Sequence, residues 1–252
     1  MKRLVDLLRI NEVRFTAIIL SVMTIAALIS LKGNLMSGGA VPCMYDIYLV
    51  GVMHVVSTFC VPFALFYILF VERYNQRPMQ VIREGRVINV WKRSVVDLFI
   101  LTVFFTLYVF ILTTIAGLVL TDRFYNWNEL NSRCMAWSGR ICEEQPSFVL
   151  LLISYIVETF ETFLAAGIIM LGVWWGTNKE WAGYLASIAL ITVDKAGVCD
   201  GIIFSKYYIA GATYKKGLSI SNNVIYPLLA AIIVFALVNV LVRFKKKEFL
   251  GS

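Results

Sequence analysis

The stretch ERYNQRPMQVIREGRVINVWKRS, residues 72–94, lies between two long apolar runs and decides how the chain is oriented. It contains six of the 23 Lys and Arg residues of the protein. Because basic residues of short loops are retained on the cytoplasmic side of a membrane, this stretch, called the basic segment below, is predicted to be cytoplasmic. The orientation of every other apolar run follows from it.

The composition indicates that most of the chain is solvated by lipid. Hydrophobic residues occupy 60% of its 252 positions and charged residues only 15%, and the mean hydropathy is +0.78. A soluble domain of this length carries far more charge. The net charge of +7 does not indicate nucleic-acid binding, because the basic residues lie at the ends of apolar runs and in alternate loops, where orientation and anionic lipid explain them.

Six apolar runs predict an all-α membrane protein with a single transmembrane domain over residues 1–252. The predicted spans are 15–31, 47–71, 95–120, 148–175, 181–193 and 224–242. The fifth run reaches only about 20 Å, short of a hydrocarbon core of about 30 Å. We therefore expect a re-entrant or interfacial hairpin on the outer side, to residue 213, between spans five and six.

The ends of the chain fit a cytoplasmic location. Residues 1–14 place Leu4, Leu7 and Leu8 at helical spacing, which favours an amphipathic helix in the membrane interface over a solvated tail. With both termini inside, 15 of the 23 Lys and Arg residues are cytoplasmic and eight are outside. The charges therefore predict a multi-pass plasma-membrane protein with both termini in the cytoplasm.

The fourth span contains two glutamates, Glu158 and Glu161, in the sequence SYIVETFETFLAAG. A spacing of three puts both carboxylates on one helical face. An ionised side chain inside the membrane is costly unless it is paired, protonated or hydrated, so this face is predicted to avoid lipid. Two interpretations stay open: a contact for substrate, cation or proton, and an internal structural pair.

Other polar groups give weaker signals. His54, the only histidine, lies near the outer end of the second span as a pathway residue or a hydrogen-bonded packing residue, and a lone histidine does not predict a metal site. In the outer loop 121–147, Cys134 and Cys142 are the preferred disulfide pair if the outside is oxidising. Free buried thiols are the alternative.

The sequence lacks the motifs of the common catalytic sites. It has no phosphate-binding G-x-x-x-x-G-K-[ST], no G-x-S-x-G and no H-E-x-x-H. Glu143 and Glu144 are predicted outside the bilayer and His54 stands alone, which argues against an intramembrane metalloprotease. We therefore predict that the protein is not an enzyme and binds no cofactor itself.

The whole chain resembles the permease subunits of ABC-2 type ABC transporters, with an amphipathic N-terminal helix, six spans, a basic loop after the second span and an interrupted segment after the fifth. The local match is FVERYNQRPMQVIREGRVINVWKRS, residues 70–94. The family's acidic-basic start, its R-x-basic turn and its lysine at the third span are matched by Glu72-Arg73, Arg83-Glu84-Gly85-Arg86 and Trp91-Lys92. The outer loop 121–147 is longer than expected for the family.

In that family the loop after the second span contains a coupling helix that sits in a groove of a separate ATPase subunit. The resemblance implies an exporter in which a homodimer or similar heterodimer of permeases works with two ATPase subunits that bind ATP and Mg²⁺. It also implies a peptide, bacteriocin or antibiotic-like substrate and a bacterial membrane. The implied coupling residues are Arg73, Arg77, Arg83, Glu84 and Arg86, and the pathway candidates are Glu158, Glu161 and His54.

Two other classes of membrane protein stay compatible with the sequence. One is the ligand-binding membrane subunit of an energy-coupling importer, which does not itself contact the ATPase. The other is a stand-alone immunity protein or membrane enzyme without an ATPase. Apolar side chains within the basic segment favour direct contact with a partner groove, namely Met79, Val81, Ile82, Val87 and Ile88.

Overall fold

The computed structural model describes residues 13–36, 39–76, 81–82, 86–142, 145–196 and 218–244. Regular structure in these ranges is helical, apart from one bridge between Val41 and Ser132. The helices are α1 (Val13–Leu35), α2 (Met44–Asn75), α3 (Val87–Leu120), α4 (Arg133–Ser138), α5 (Phe148–Thr177), α6 (Glu180–Lys195) and α7 (Ser221–Ile225 continued by Tyr226–Phe244). Residues 1–12 of the predicted interfacial helix, and the predicted hairpin after α6, lie outside the described residues.

Five of the described helices are long and apolar enough to cross a membrane, namely α1, α2, α3, α5 and α7. An all-helical, multi-pass architecture is therefore confirmed, whereas the predicted count of six spans is not. The fifth predicted span, 181–193, corresponds to α6. This helix has 16 residues and a length of about 24 Å, so it does not reach across a hydrocarbon core of about 30 Å.

The helices extend beyond the apolar runs that predicted them, as α3 and α1 show. Helix α3 begins at Val87 rather than at 95, because its first two turns contain Lys92 and Arg93, which lower the local hydropathy without breaking the helix. Helix α1 continues past Lys32, and the side chain of Asn34 donates to the Ser30 carbonyl at 2.9 Å. Apolar runs mark the lipid-embedded part of a helix and not its ends.

Helices α2 and α5 form the centre of the bundle. Most of their side chains are buried, including polar ones, whereas α1 and α7 expose large apolar side chains along most of their length. Ile29 of α1 is 69% exposed and Leu241 of α7 is 67% exposed. Such faces are stable next to lipid, so α1 and α7 are the peripheral helices of the chain.

The outer half of α2 departs from α-helical winding. Residues Gly51–Cys60 form a π-helical segment, and the N–H of Val61 donates to the Val56 carbonyl. Pro62 follows directly. Proline lacks the N–H that an α-helical turn needs, and π-helical turns are frequent at functional sites.

Helices α5 and α6 form a tight antiparallel pair. Asn178 ends α5 in the left-handed conformation, with φ 60°, and the chain reverses there. Gly183 of α6 lies against the α5 backbone, since a Cβ at this position would be 2.3 Å from the Met170 carbonyl oxygen. One turn further on, the Ser187 hydroxyl donates to the Ala166 carbonyl at 2.9 Å. These contacts fix the register of α6 along α5.

We expect Gly183→Ala to push α6 away from α5, because the added methyl group overlaps with the Met170 carbonyl. Overpacking of this kind costs about 1–3 kcal/mol, so the unfolding temperature of the purified protein in detergent should fall. Gly176→Ala is the matched control, because a Cβ at Gly176 meets no atom within 4 Å. Equal unfolding temperatures for the two variants would contradict the close α5–α6 contact.

Candidate functional site in the helical bundle

Glu158 and Glu161 lie on the face of α5 that is turned into the bundle. Both side chains are fully buried, which confirms the prediction that this face avoids lipid. The hydroxyl of Thr162 donates to the Glu158 backbone carbonyl at 2.7 Å and lies 3.4 Å from Glu161 Oε2. One turn before Glu158, the Tyr155 hydroxyl is hydrogen-bonded to Thr113 of α3 at 2.8 Å, which holds the rotation of α5.

The start of α7 reaches the carboxylate of Glu158. The buried Asn223 donates from Nδ2 to Glu158 Oε1 at 3.3 Å. The Oδ1 atom of Asn223 accepts from the Ser219 N–H at 3.1 Å, and this bond turns the NH₂ group towards Glu158. Asn223 lies in the first turn of α7, where the backbone N–H groups carry partial positive charge. Both features stabilise negative charge on Glu158.

Helix α6 ends at the same level of the bundle. The register set by Gly183 and Ser187, continued along the antiparallel pair, brings Asp194 opposite Thr159, the residue after Glu158. Asp194 is also buried. Two helices therefore end beside the carboxylates, α6 with its C-terminus and α7 with its N-terminus. Interrupted helices that end inside the bundle bring charges and backbone dipoles to the substrate sites of many transporters.

The π-helical segment of α2 lies at the same depth in the bundle as these helix ends. The ammonium group of Lys195, at the end of α6, donates to the hydroxyl of Thr58 in that segment. His54 lies in the same segment, four residues before Thr58, and its side chain lies outside the described part of the structure. Charged groups of α5 and α6 thus lie at one depth with a hydroxyl of α2 and an amide of α7. We call this set of residues the carboxylate level.

A second cluster of buried polar groups joins the two ends of the basic segment. The carboxylate of Glu72, which is 2% exposed, accepts from the Ser94 hydroxyl at 2.7 Å and from Gln76 Nε2 at 2.8 Å. Asn75 donates to the buried carboxylate of Asp97 at 3.0 Å. Hydrogen bonds between buried side chains therefore hold the last turn of α2 and the first turns of α3 together. We call these contacts the α2–α3 clamp.

Arg73 connects the same end of α2 to α6. Its guanidinium forms a two-point ion pair with Glu180, the first residue of α6, and lies 5.6 Å from the centre of the Phe70 ring. Planar two-point pairs are the strong form of the Arg–carboxylate contact. Arg73, which the resemblance assigns to an ATPase contact, is thus engaged within the chain.

The remaining predicted coupling residues are placed differently. Arg86 is exposed and directly precedes α3 in an extended backbone conformation. Within the basic segment, Ile82 is 72% exposed, an unusual position for a large apolar side chain outside the spans. Arg77, Arg83 and Glu84 lie outside the described residues.

The described residues of the loop 121–147, which are 121–142 and 145–147, form a folded cap. Trp127 is fully buried and donates its indole N–H to Asp46 Oδ1 at 2.9 Å, and Asp46 Oδ2 accepts from the Cys43 backbone N–H at 2.9 Å. Arg133, which is 1% exposed, donates to the Leu35 carbonyl at the end of α1 at 2.8 Å. The cap fixes the outer ends of α1 and α2.

The two predicted disulfide partners lie in this cap. Cys134 and Cys142 are free thiols in the structure. Burial raises the pKa of Cys134, and the neighbouring Cys142 adds to this rise. Burial also raises the pKa of Cys43 to about 12, so this thiol stays protonated and unreactive at neutral pH. Because Cys134 and Cys142 are close enough to interact, their pairing stays a prediction.

Asp194 interrupts the fifth apolar run of the sequence, whereas no sequence pattern points to Asn223 or Asp97. Each lies near the end of an apolar run, where a polar residue is usually attributed to the membrane interface. A signal for Asp194 was present, because it ends a run that is too short to cross the membrane and so ends inside the bundle. Asn223 and Asp97 are recognised only by the residues that they contact, Glu158 and Asn75, and these contacts are visible only in the folded chain.

Comparison of the chain with protein-family models, with curated proteins and with solved structures found no match. The family resemblance of the sequence therefore stays a prediction, and function has to be argued from the carboxylate level and the α2–α3 clamp.

We expect Cys134 and Cys142 to be linked in the native membrane if the outside is oxidising. Non-reducing peptide mapping of untreated membranes should recover both as one fragment, and Cys142→Ser should lower the unfolding temperature because a closed loop constrains the unfolded chain. Cys60, fully buried in α2, is the internal control and should be absent from every linked fragment. Recovery of both outer thiols in freely alkylated form would rule out the bridge.

Proposed function

We propose that the protein is the transmembrane permease subunit of an ATP-driven ABC exporter and that a separate ATPase subunit binds ATP and Mg²⁺. The observation that carries the proposal is the α2–α3 clamp, which holds both ends of the basic segment to the bundle by buried hydrogen bonds to Glu72 and Asp97. A docking segment transmits force only if its ends do not slide. Hydrogen bonds to carboxylates are each worth about 1.5–3 kcal/mol, which exceeds a neutral pair.

Two further contacts carry movement of the basic segment into the bundle. The ion pair of Arg73 with Glu180 connects the basic segment to α6, which is packed against α5. Trp91, inside the segment, donates its indole N–H to Asn239 of α7 at 2.8 Å. Displacement of the segment by an ATPase would therefore act on α2, α3, α6 and α7 together. A membrane protein that works without an ATPase has no need to connect a basic loop to four helices by such polar contacts.

The carboxylate level supplies the proposed contact with substrate. Glu158 and Glu161 attract cationic groups, and the buried apolar surroundings match the hydrophobic part of an amphipathic molecule. The substrate class that fits is an amphipathic peptide, bacteriocin or antibiotic. His54 is kept as a pathway candidate. Transport proceeds by alternating exposure of this level to the two sides of the membrane.

The proposal includes a topology and an assembly. The chain crosses the membrane six times, counting α6 together with the residues that follow it, and both termini are cytoplasmic. A bacterial plasma membrane and a dimer of two permease chains with two ATPase subunits complete the exporter. The apolar faces of α1 and α7 support contact with lipid and with the second permease.

The basic segment is tested by replacing Arg83, Glu84 and Arg86 together with alanine. The variant should insert normally but lose co-purification with a co-expressed ATPase and lose substrate-stimulated ATP turnover, because a docking segment without its polar contacts loses its orientation. The control is the double variant Arg123→Ala, Glu129→Ala, which removes an exposed ion pair of the outer cap. Unchanged co-purification and unchanged ATP turnover in the triple variant would contradict the assignment of the basic segment as the contact with the ATPase.

The carboxylate level is tested by Glu158→Gln and Glu161→Gln. Glutamine keeps the shape of the side chain, so both variants should fold, while loss of a charged contact worth about 1.5–3 kcal/mol should lower transport by about tenfold or more or shift its pH dependence. Glu129→Gln, in the exposed outer cap, is the control. If transport per folded protein stays at the wild-type level in both buried variants, the glutamates have a structural role and are not part of the proposed pathway.

A further inference from the structure

An apolar groove with a volume of about 330 Å³ lies between α5 and α7, away from the carboxylate level. Its size is at the lower end of the range for small-molecule sites. The lining residues are apolar, and they come from the last turns of both helices: Ile169, Gly172, Val173, Trp175, Gly176, Val238, Leu241 and Val242.

Two glycines, one turn apart on α5, create the groove. At Gly172 the helices touch, because a Cβ there would lie 2.5 Å from Val238 Cγ1. At Gly176 a Cβ would meet no atom within 4 Å, so the two helices diverge there and leave the space beside Gly176 open. The groove is thus built by the absence of a side chain at one position and by close helix contact at the other.

The surroundings of the groove indicate where its occupant comes from. Both walls belong to helices that can cross a membrane, and the rim residue Leu241 is 67% exposed. The groove therefore faces the acyl chains of lipid. Trp181, which is 49% exposed, lies just beyond the end of α5, and an exposed tryptophan at a helix end is typical of the depth of the lipid headgroups.

Positive charge lies at the end of the groove. Arg243 is exposed and follows the lining residue Val242, and Lys179 is exposed just beyond the end of α5. The sequence continues with Lys245, Lys246 and Lys247. Basic groups beside a gap between membrane helices are typical of sites for anionic lipid headgroups.

We propose that this groove binds an acyl chain of an anionic phospholipid whose headgroup contacts Arg243. A second copy of the chain fits less well, because stable interfaces bury about 1,200–2,000 Å² and the groove is formed by only eight residues, two of them glycines. The inference rests on the proposed topology only in assigning the lipid to the cytoplasmic leaflet. The groove and its charges are features of the chain itself.

The test uses the full chain, without any ATPase, in phosphatidylcholine nanodiscs that contain brominated phosphatidylglycerol or brominated phosphatidylcholine. Bromine in the acyl chain quenches tryptophan fluorescence on contact, and Trp175 lines the groove. We expect stronger quenching by the anionic lipid. Gly176→Leu should remove this difference by filling the groove, and Arg243→Gln should lower the relative binding constant of the anionic lipid about fivefold.

Gly33→Leu is the matched control, because Gly33 is an exposed glycine of α1 with no atom within 4 Å of a Cβ, and it should quench like wild type. Equal quenching of the wild-type protein by the two lipids, or a headgroup difference that survives Gly176→Leu, would overturn the proposal. Cross-linking of two chains through Val173→Cys without headgroup-dependent quenching would also overturn it, in favour of a second copy. Because both leaflets of a nanodisc are accessible and no ATPase is present, these results are independent of the exporter assignment.

Discussion

A carboxylate that is removed from water has to be stabilised by groups of the protein itself, and this constraint determines which helices lie at the centre. Within the described residues, six acidic side chains are buried to 3% exposure or less: Asp46, Glu72, Asp97, Glu158, Glu161 and Asp194. They lie on α2, α3, α5 and α6. The described parts of α1 and α7 contain no acidic residue and are the helices that expose most of their apolar surface. The placement of acids along the chain thus separates central from peripheral helices.

The buried acids occupy three levels, and the levels differ in how firmly they are held. At the outer end Asp46 accepts two hydrogen bonds of 2.9 Å, and at the opposite end Glu72 accepts bonds of 2.7 and 2.8 Å. At the carboxylate level the bond from Asn223 to Glu158 is longer, at 3.3 Å, and hydrogen bonds weaken as they lengthen. The hydrogen bonds to Asp46 and Glu72 at the two ends of the bundle are therefore shorter than the bond that joins Glu158 to α7.

The sequence was sufficient for the features that depend on local pattern and insufficient for those that depend on partners from distant parts of the chain. Apolar runs located α1, α2, α3, α5 and α7, and the spacing of Glu158 and Glu161 placed both on one buried face. Helix ends were missed, because hydropathy records contact with lipid and α3 continues beyond it. The contacts of Asp46 with Trp127 and of Glu158 with Asn223 join residues 81 and 65 positions apart. Periodicity assigns a side chain to a face of its helix but does not say which other helix that face will meet.

Helix α7 links the two functional regions of the proposed exporter. Near one end, Asn239 accepts the hydrogen bond of Trp91, which belongs to the basic segment, and near the other end Asn223 contacts Glu158. The two asparagines are 16 positions apart, about 24 Å of helix, and the backbone hydrogen bonds of the helix keep that distance fixed. Along this length the contacts of α7 with α5 include apolar packing such as Val238 on Gly172, which allows sliding and tilting at little cost because no polar partner is lost. In the proposed exporter, a shift of Trp91 by the ATPase would move Asn223 relative to Glu158 and so change the charge balance of the carboxylate level, without requiring the α2–α3 clamp or the outer cap to open.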